Sequence, residues 1–332
     1  MRDATVGIIA NPLSGRDIRR LIANAAPSTI ADKVTIVRRV AIGAVQAGAR
    51  RLLVLPDPHG ICRRALSTLK LDVVVEEINV ARTHDERESV AAAGVLRDED
   101  VGAIVVLGGD GTNRAVTIGW NDAPVVALST GTNNVFPGHV EPTIAGAAAG
   151  LVASGAIALE AVSGRAKTVR IDIEGAAPDV ALVDALLTAE RLVGSRALFA
   201  PSVLRMCVLT TADPASVGIS SIGGLVHPCR PDEDRGVELR FEDVATASRS
   251  VLAPLAPGAY APVGLSRVAE LALGEIVESA GPGILALDGE RQRAIEPGAV
   301  LRFRVERDGP RVIDVATTMR AAAEAGVYVA KA

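Results

Sequence analysis

The chain is 332 residues long, carries a formal net charge of −4, and is 49% apolar but only 2% aromatic. That length exceeds what one hydrophobic core usually supports, so two domains sharing a cleft are expected, with cores of small and branched aliphatic side chains rather than a disordered chain. With no Lys/Arg run there is no basic field for a nucleic-acid backbone, and no apolar run approaches the roughly twenty residues a membrane span needs, so neither partner is expected and the chain reads as cytoplasmic.

Residues 5–10 (TVGIIA) read as a strand that stops at Asn11-Pro12-Leu13-Ser14-Gly15 and leads into a helix-compatible stretch at 16–25. Apolar runs at 34–37, 51–55, 72–75, 103–107 and 125–128 then alternate with helical patterns near 42–49, 60–69, 86–96, 112–120 and 141–153. Such alternation predicts a layered α/β domain with a mostly parallel sheet, assigned to residues 1–160. Beyond about residue 165 the texture changes to short β-rich segments with many Gly and Pro residues, at 167–173, 181–187, 205–210, 237–241, 275–278 and 300–305. A mainly β domain over 161–315 follows. The Ala-rich segment 317–325 predicts a helix that packs back on the first domain, within a final unit at 316–332. Cys62, Cys207 and Cys229 are too far apart for a CxxC pair, and their odd number gives no complete disulfide framework, so reduced thiols are expected.

The strongest chemical signal is the apolar run 103–107 followed at once by Gly108-Gly109-Asp110-Gly111-Thr112-Asn113. Ligands of open α/β sheets bind at the carboxyl ends of strands, where a helix N-terminus can face an anion. Glycines let the backbone approach phosphate oxygens, and Asp110 would stand where an acceptor hydroxyl meets a terminal phosphate. A plain strand-to-helix turn, with Asp110 or Thr112 as a cap, is the alternative. A second strand end at 125–128 runs into Ser129-Thr130-Gly131-Thr132-Asn133-Asn134, whose hydroxyls and amides suit phosphate, ribose or an adenine edge, or simply a polar turn. Asn11 and Ser14 close a third strand end. Walker A is absent, because Gly-Lys occurs nowhere in the chain.

Asn-Pro-x-Ser-Gly at 11–15, GGDGTN at 108–113 and Gly-Thr-Asn-Asn at 131–134 resemble the superfamily that joins NAD kinases with diacylglycerol and sphingosine kinases. Ser221-Ile222-Gly223-Gly224-Leu225-Val226-His227-Pro228 is similar to the Ser-Ala-Gly-Gly…His-Pro stretch of NAD kinases, and Leu287-Asp288-Gly289-Glu290 to their late Asp-Gly-Glu/Gln turn. The whole is most similar to the ATP-NAD kinase-like branch that includes the acetoin-catabolism protein X group. The resemblance implies a Rossmann-like N-terminal domain, a β-rich C-terminal domain, and ATP in the cleft between them. It implies Asp110 as the catalytic carboxylate with Glu290 as a second acid or base. No HxxxH, Cys/His or carboxylate cluster has metal-ligand spacing, so Mg²⁺ is expected to arrive with the nucleotide rather than at a dedicated metal site. Asn11, Ser14, Gly108, Gly109, Gly111, Thr112, Asn113, Thr130, Gly131, Thr132, Asn133 and Asn134 would hold ATP.

Two departures concern the acceptor. The Asn-Glu or Asn-Asp pair of NAD kinases is represented by Val183-Asp184, and their Thr-Gly-Ser-Thr-Ala-Tyr stretch by Asp213-Pro214-Ala215-Ser216-Val217-Gly218, which removes an aromatic platform. Asp184, Asp288 and His59 are the candidate substrate-binding residues. Each has a plainer reading, as a strand-edge carboxylate, a hairpin turn and a polar loop residue. The first-choice acceptor is the ribose hydroxyl of NAD(H), with a lipid head group or a small hydroxylated metabolite as alternatives and a non-catalytic nucleotide-sensing regulator as a further one. An apolar-rich chain with a β domain is also compatible with a homo-oligomer.

Overall fold

In the computed structural model, which describes residues 4–14, 29–130, 133–190, 201–289 and 291–330, the N-terminal part of the chain builds the expected layered α/β unit. Strands β1 (Thr5–Ala10), β2 (Arg51–Val54), β3 (Val74–Glu77), β4 (Ala103–Gly108) and β5 (Pro124–Ser129) run parallel in the order β3-β2-β1-β4-β5. Every residue of β1 and β4 is buried, as a parallel strand covered by helices on both faces requires. Strand order reverses between β1 and β4, which places the loops after these two strands at the crevice where open α/β sheets bind ligands.

The helices are α1 (Ile30–Gln46), α2 (Ile61–Leu66), α3 (Glu86–Asp98), α4 (Asp110–Gly119), α5 (Pro142–Ala153) and the short α6 (Leu159–Val162). The strand expected at 34–37 is corrected by α1, which absorbs that run. Thr29 and Asp32 form a reciprocal capping box, and Val34, Val37, Val40, Ala41 and Ala44 recur at helical spacing on the buried face. A four-residue apolar run has no readable period of its own, so the cap upstream decides. The stretch 16–25 lies outside the described residues.

α1 and α5 meet through glycines. A Cβ on Gly43 would stand 2.0 Å from the Thr143 carbonyl oxygen, one on Gly146 2.1 Å from that of Val40, and one on Gly150 2.3 Å from that of Ala44. Gly146→Val is therefore expected to destabilise the chain by about 3 kcal/mol, the upper part of the range for overpacking. Denaturant unfolding measures it, and an unchanged midpoint would contradict the contact.

The C-terminal part is antiparallel β. One sheet runs β12 (Arg249–Ala256), β13 (Ala259–Ala272), β11 (Arg235–Glu242), β10 (Leu204–Leu209), β9 (Asp184–Thr188), β15 (Gly283–Leu287), β16 (Arg291–Ile295). A second runs β14 (Val277–Ala280), β17 (Val300–Glu306), β7 (Thr168–Ile173), β8 (Asp179–Ala181). Ile171, Leu187, Val208, Leu285 and Phe303 fill the core they share. Helix α7 (Ile219–Val226) sends Ile222 into a separate core with Leu209, Leu239 and Val263.

The chain then returns to the first sheet. β18 (Arg311–Ile313) pairs parallel to β5, β6 (Ser163–Arg165) pairs antiparallel to β18, and α8 (Val315–Glu324) buries Ala322 in the core formed with α1 and α5. The C-terminal helix thus packs where its sequence predicts. Cys62, Cys207 and Cys229 are buried and unpaired, and burial pushes the Cys62 and Cys207 thiols well up. No helix among the described residues is long and apolar enough to cross a membrane.

Candidate active site

Three strand ends converge on Asp110. Asn11 Nδ2, after β1, donates to Thr112 Oγ1 at 2.8 Å, and Ser14 Oγ lies 2.7 Å from Thr130 Oγ1 after β5. The Thr130 N–H reaches the Gly108 carbonyl at 3.3 Å, so the loops after β1, β4 and β5 are tied together. Asn113 Nδ2 donates to the Gly109 carbonyl at 2.9 Å, and Asn134 Nδ2 to Ser129 Oγ at 2.8 Å. Ser14, Thr112, Asn113 and Thr130 are all buried. Of the side chains expected to reach a nucleotide, Asn11, Thr112, Ser14 and Thr130 are committed to one another in pairs, and what they shape is a cradle of backbone. Gly108 belongs to it because a Cβ there would stand 2.4 Å from the Thr112 side chain. Gly109 caps α4 without any side-chain hydrogen bond, which leaves the first amides of that helix, at Asp110 and Gly111, to other partners. Gly131, Thr132 and Glu290 lie outside the described residues.

Lys33 supports the first of these loops and escaped the sequence reading. It is fully buried in α1, and its Nζ donates to the carbonyls of Asn11 (2.9 Å), Pro12 (2.9 Å) and Ser14 (2.7 Å). A buried ammonium is tolerated where acceptors surround it, and here it curls the loop around itself. Its signal is in the sequence: Lys33 stands four residues before Val37 and seven before Val40, on the apolar stripe of its helix.

The Asp110 carboxylate accepts the N–H of Phe136 at 2.9 Å and that of Val135 at 3.2 Å, and is 7% exposed. The loop after β5 therefore fixes its orientation. It borders a hollow of about 650 Å³, open mouth included, between the two domains. Asn133 flanks Asp110 on the near side, with a buried Oδ1 that has no hydrogen-bond partner. Asp184, Leu186, Ile219, Leu255 and Asp288 form the far wall.

Asp288 is both a turn and a buried carboxylate. With Gly289 it takes positive φ (51° and 67°) in the β15–β16 hairpin, as an Asp-Gly dipeptide predicts. Its side chain is enclosed and accepts the N–H groups of Leu182 (3.0 Å), Val183 (2.8 Å) and Asp184 (3.3 Å). Burial raises its pKa, against the Arg114 guanidinium and these amides, which lower it. A raised value means that the folded chain binds this proton more tightly than the unfolded chain. The group's contribution to stability is thus full below the ordinary aspartate range and is lost as pH rises through the raised value.

His59, a candidate for substrate contact, lies apart from the hollow beside Asp110. It is exposed, its backbone N–H donates to Asp57 Oδ1 at 2.9 Å, and it is not among the residues lining the hollow. Asp57 also accepts the Ile61 N–H at 2.7 Å, so Asp57-Pro58-His59-Gly60 is a turn that leads into α2. Arg114 is the second functional candidate missed in the sequence. It is 1% exposed on α4 and hydrogen-bonds Glu86. Its helix is buried from Asp110 to Thr117, so spacing marked no special face for it.

Comparison with known proteins adds to this geometry. Residues 6–157 match the model of the ATP-NAD kinase N-terminal domain, and residues 167–308 that of the acetoin catabolism protein X C-terminal domain. The acetoin catabolism protein X of Cupriavidus necator strain H16 is 38% identical over 330 residues, covering 95% of this chain and 91% of that protein. The chain belongs to the acetoin catabolism protein X family. Among solved structures, yeast NADH kinase complexed with NADH superposes with a TM-score of 0.52 at 12% identity, covering 99% of this chain and 88% of that one. A protein described as a putative diacylglycerol kinase from Bacillus anthracis strain Sterne gives 0.47 at 12% identity, covering 96% and 99%. The fold of this family member is thus NAD kinase-like, in keeping with the architecture of both domains.

Proposed function

We propose that the chain is a cytoplasmic phosphotransferase that moves the terminal phosphoryl group of MgATP to an alcohol. The observation that carries this reading is the Asp110 carboxylate, oriented by two amides at the edge of an interdomain hollow. There it aligns the acceptor hydroxyl and takes its proton as the oxygen attacks phosphorus and the bond to the ADP oxygen breaks. The uncapped start of α4 and the glycine cradle at 108–111 suit the phosphates, and Mg²⁺ arriving with the nucleotide would neutralise their charge. Positioning supplies most of the rate.

Two acceptor classes fit this chemistry. NAD(H), the first choice from the family resemblance, carries a pyrophosphate that needs donors and bases that favour an aromatic platform. The lining of the hollow, among the described residues, includes neither a basic nor an aromatic side chain: Leu186, Val217, Ile219, Leu255 and Ala286 stand opposite Asp110. That wall favours a compact, uncharged hydroxylated metabolite. ADP release from MgATP, measured with NAD⁺, NADH, diacylglycerol and small neutral polyols, separates these acceptors. Turnover with a polyol and none with the dinucleotides is expected. The reverse pattern would restore NAD(H), and ATP binding without turnover on any acceptor would replace the enzyme with a nucleotide sensor.

A further inference from the structure

Arg114 follows Asp110 by four residues on α4, so both side chains leave the same face of that helix. Its Nη2 hydrogen-bonds Glu86 of α3. The remainder of the guanidinium reaches across to the β domain, with Nε 3.7 Å from Asp288 Oδ2 and Nη1 3.8 Å from Asp179 Oδ1. Both Nε and Nη1 are buried without a hydrogen-bond partner. A charged guanidinium–carboxylate hydrogen bond spans about 2.7–2.9 Å, so two N–H groups stand about one ångström too far from carboxylates of the second domain to bond them. Leaving such donors unmet in a buried position is costly, and a small approach of the two domains would satisfy both.

Asp288 extends the connection. Its carboxylate holds the amides of Leu182, Val183 and Asp184, and its own N–H donates to the Asp184 carbonyl at 3.0 Å. Asp184 lines the hollow opposite Asp110. A continuous path therefore runs from the helix that starts at the proposed catalytic carboxylate, through Arg114 and Asp288, to the acceptor wall.

We propose that Arg114 is a positioning residue: when nucleotide occupies the cradle at the start of α4, Arg114 draws the Asp288 turn inward and sets Asp184 against Asp110. Its kinetic consequence rests on the phosphotransfer reading, whereas its mechanical consequence rests only on nucleotide binding at the start of α4.

Hydrogen exchange on the full chain tests it, with and without a non-hydrolysable MgATP analogue, at the three amides of 182–184 held by Asp288. In the wild type the analogue is expected to slow their exchange by about five- to 150-fold, the usual range of intersite coupling. Arg114→Met should abolish that slowing and Arg114→Lys should restore part of it. Equal slowing in wild type and Arg114→Met, or none in the wild type with the analogue bound, overturns the proposal. If the analogue does not bind, the kinase reading and the proposal fall together, whereas binding without slowing at 182–184 overturns the proposal alone. Should Arg114→Met not fold, Arg114→Met combined with Asp288→Asn removes the uncompensated buried carboxylate and must still lack the analogue's effect on 182–184. In turnover, Arg114→Met is expected to lower kcat by up to about a hundredfold, as an ångström-scale misplacement does, with little change in KM for ATP. A loss of thermal stability with kcat unchanged would mark a purely structural residue.

Discussion

Asp110→Asn should lower kcat by about 10²–10⁴-fold, the usual contribution of a general base, while leaving KM for ATP within a small factor of the wild-type value. The substitution keeps size and one carbonyl oxygen, so the Phe136 N–H retains an acceptor and the loop after β5 should hold its place. What disappears is the capacity to take a proton from the acceptor. Steady-state kinetics beside a thermal midpoint separates the two effects. A variant that turns over at the wild-type rate would remove Asp110 from the chemistry.

The second large effect is expected at Lys33. Lys33→Met would leave the carbonyls of Asn11, Pro12 and Ser14 without their shared donor, at a cost of about 1 kcal/mol or more for each one that stays buried. The predicted result is about 3 kcal/mol of lost stability on the same basis, together with a raised KM for ATP as the loop after β1 relaxes. Lys33→Arg should not restore the wild type, because the site is fully enclosed and a planar fork does not match three converging carbonyls. Urea unfolding and ATP titration measure both effects, and unchanged values in both would show that Lys33 does not shape the loop.

The parts of the site that were legible in the sequence are those where local chemistry and chain position agree. GGDGTN follows an apolar run that reads as a buried strand, and β4 leads into α4 there. Asp288-Gly289 reads as a turn and is one, although its carboxylate points inward to three amides 104–106 residues earlier in the chain, a partnership no local pattern encodes. Lys33 and Arg114 went unnoticed for a related reason. A cation in a helix is ordinarily on the solvated face, and only the packing of the helix tells otherwise. For Lys33 the face could have been read from the apolar spacing around it; for Arg114 it could not, since α4 is enclosed nearly all round.

The fold shows the same division. The α/β layering and the returning C-terminal helix follow from periodicity over long segments, whereas the four-residue run at 34–37 had too few residues to show a period and belongs to α1. The β12–β13 hairpin was obscured by Pro254, Pro257, Gly258 and Pro262, which resemble a loop. Pro254 is accommodated because β12 is the edge strand of its sheet, where a missing N–H leaves no ladder bond unmade.

Phosphorus NMR of the full chain with MgATP and a small neutral polyol reads the proposed phosphoryl transfer at its product. A phosphomonoester resonance should grow in step with ADP in the wild type and be nearly lost in Asp110→Asn. The same ester forming at equal rate in both proteins, or ADP appearing without any new ester, would contradict that expectation.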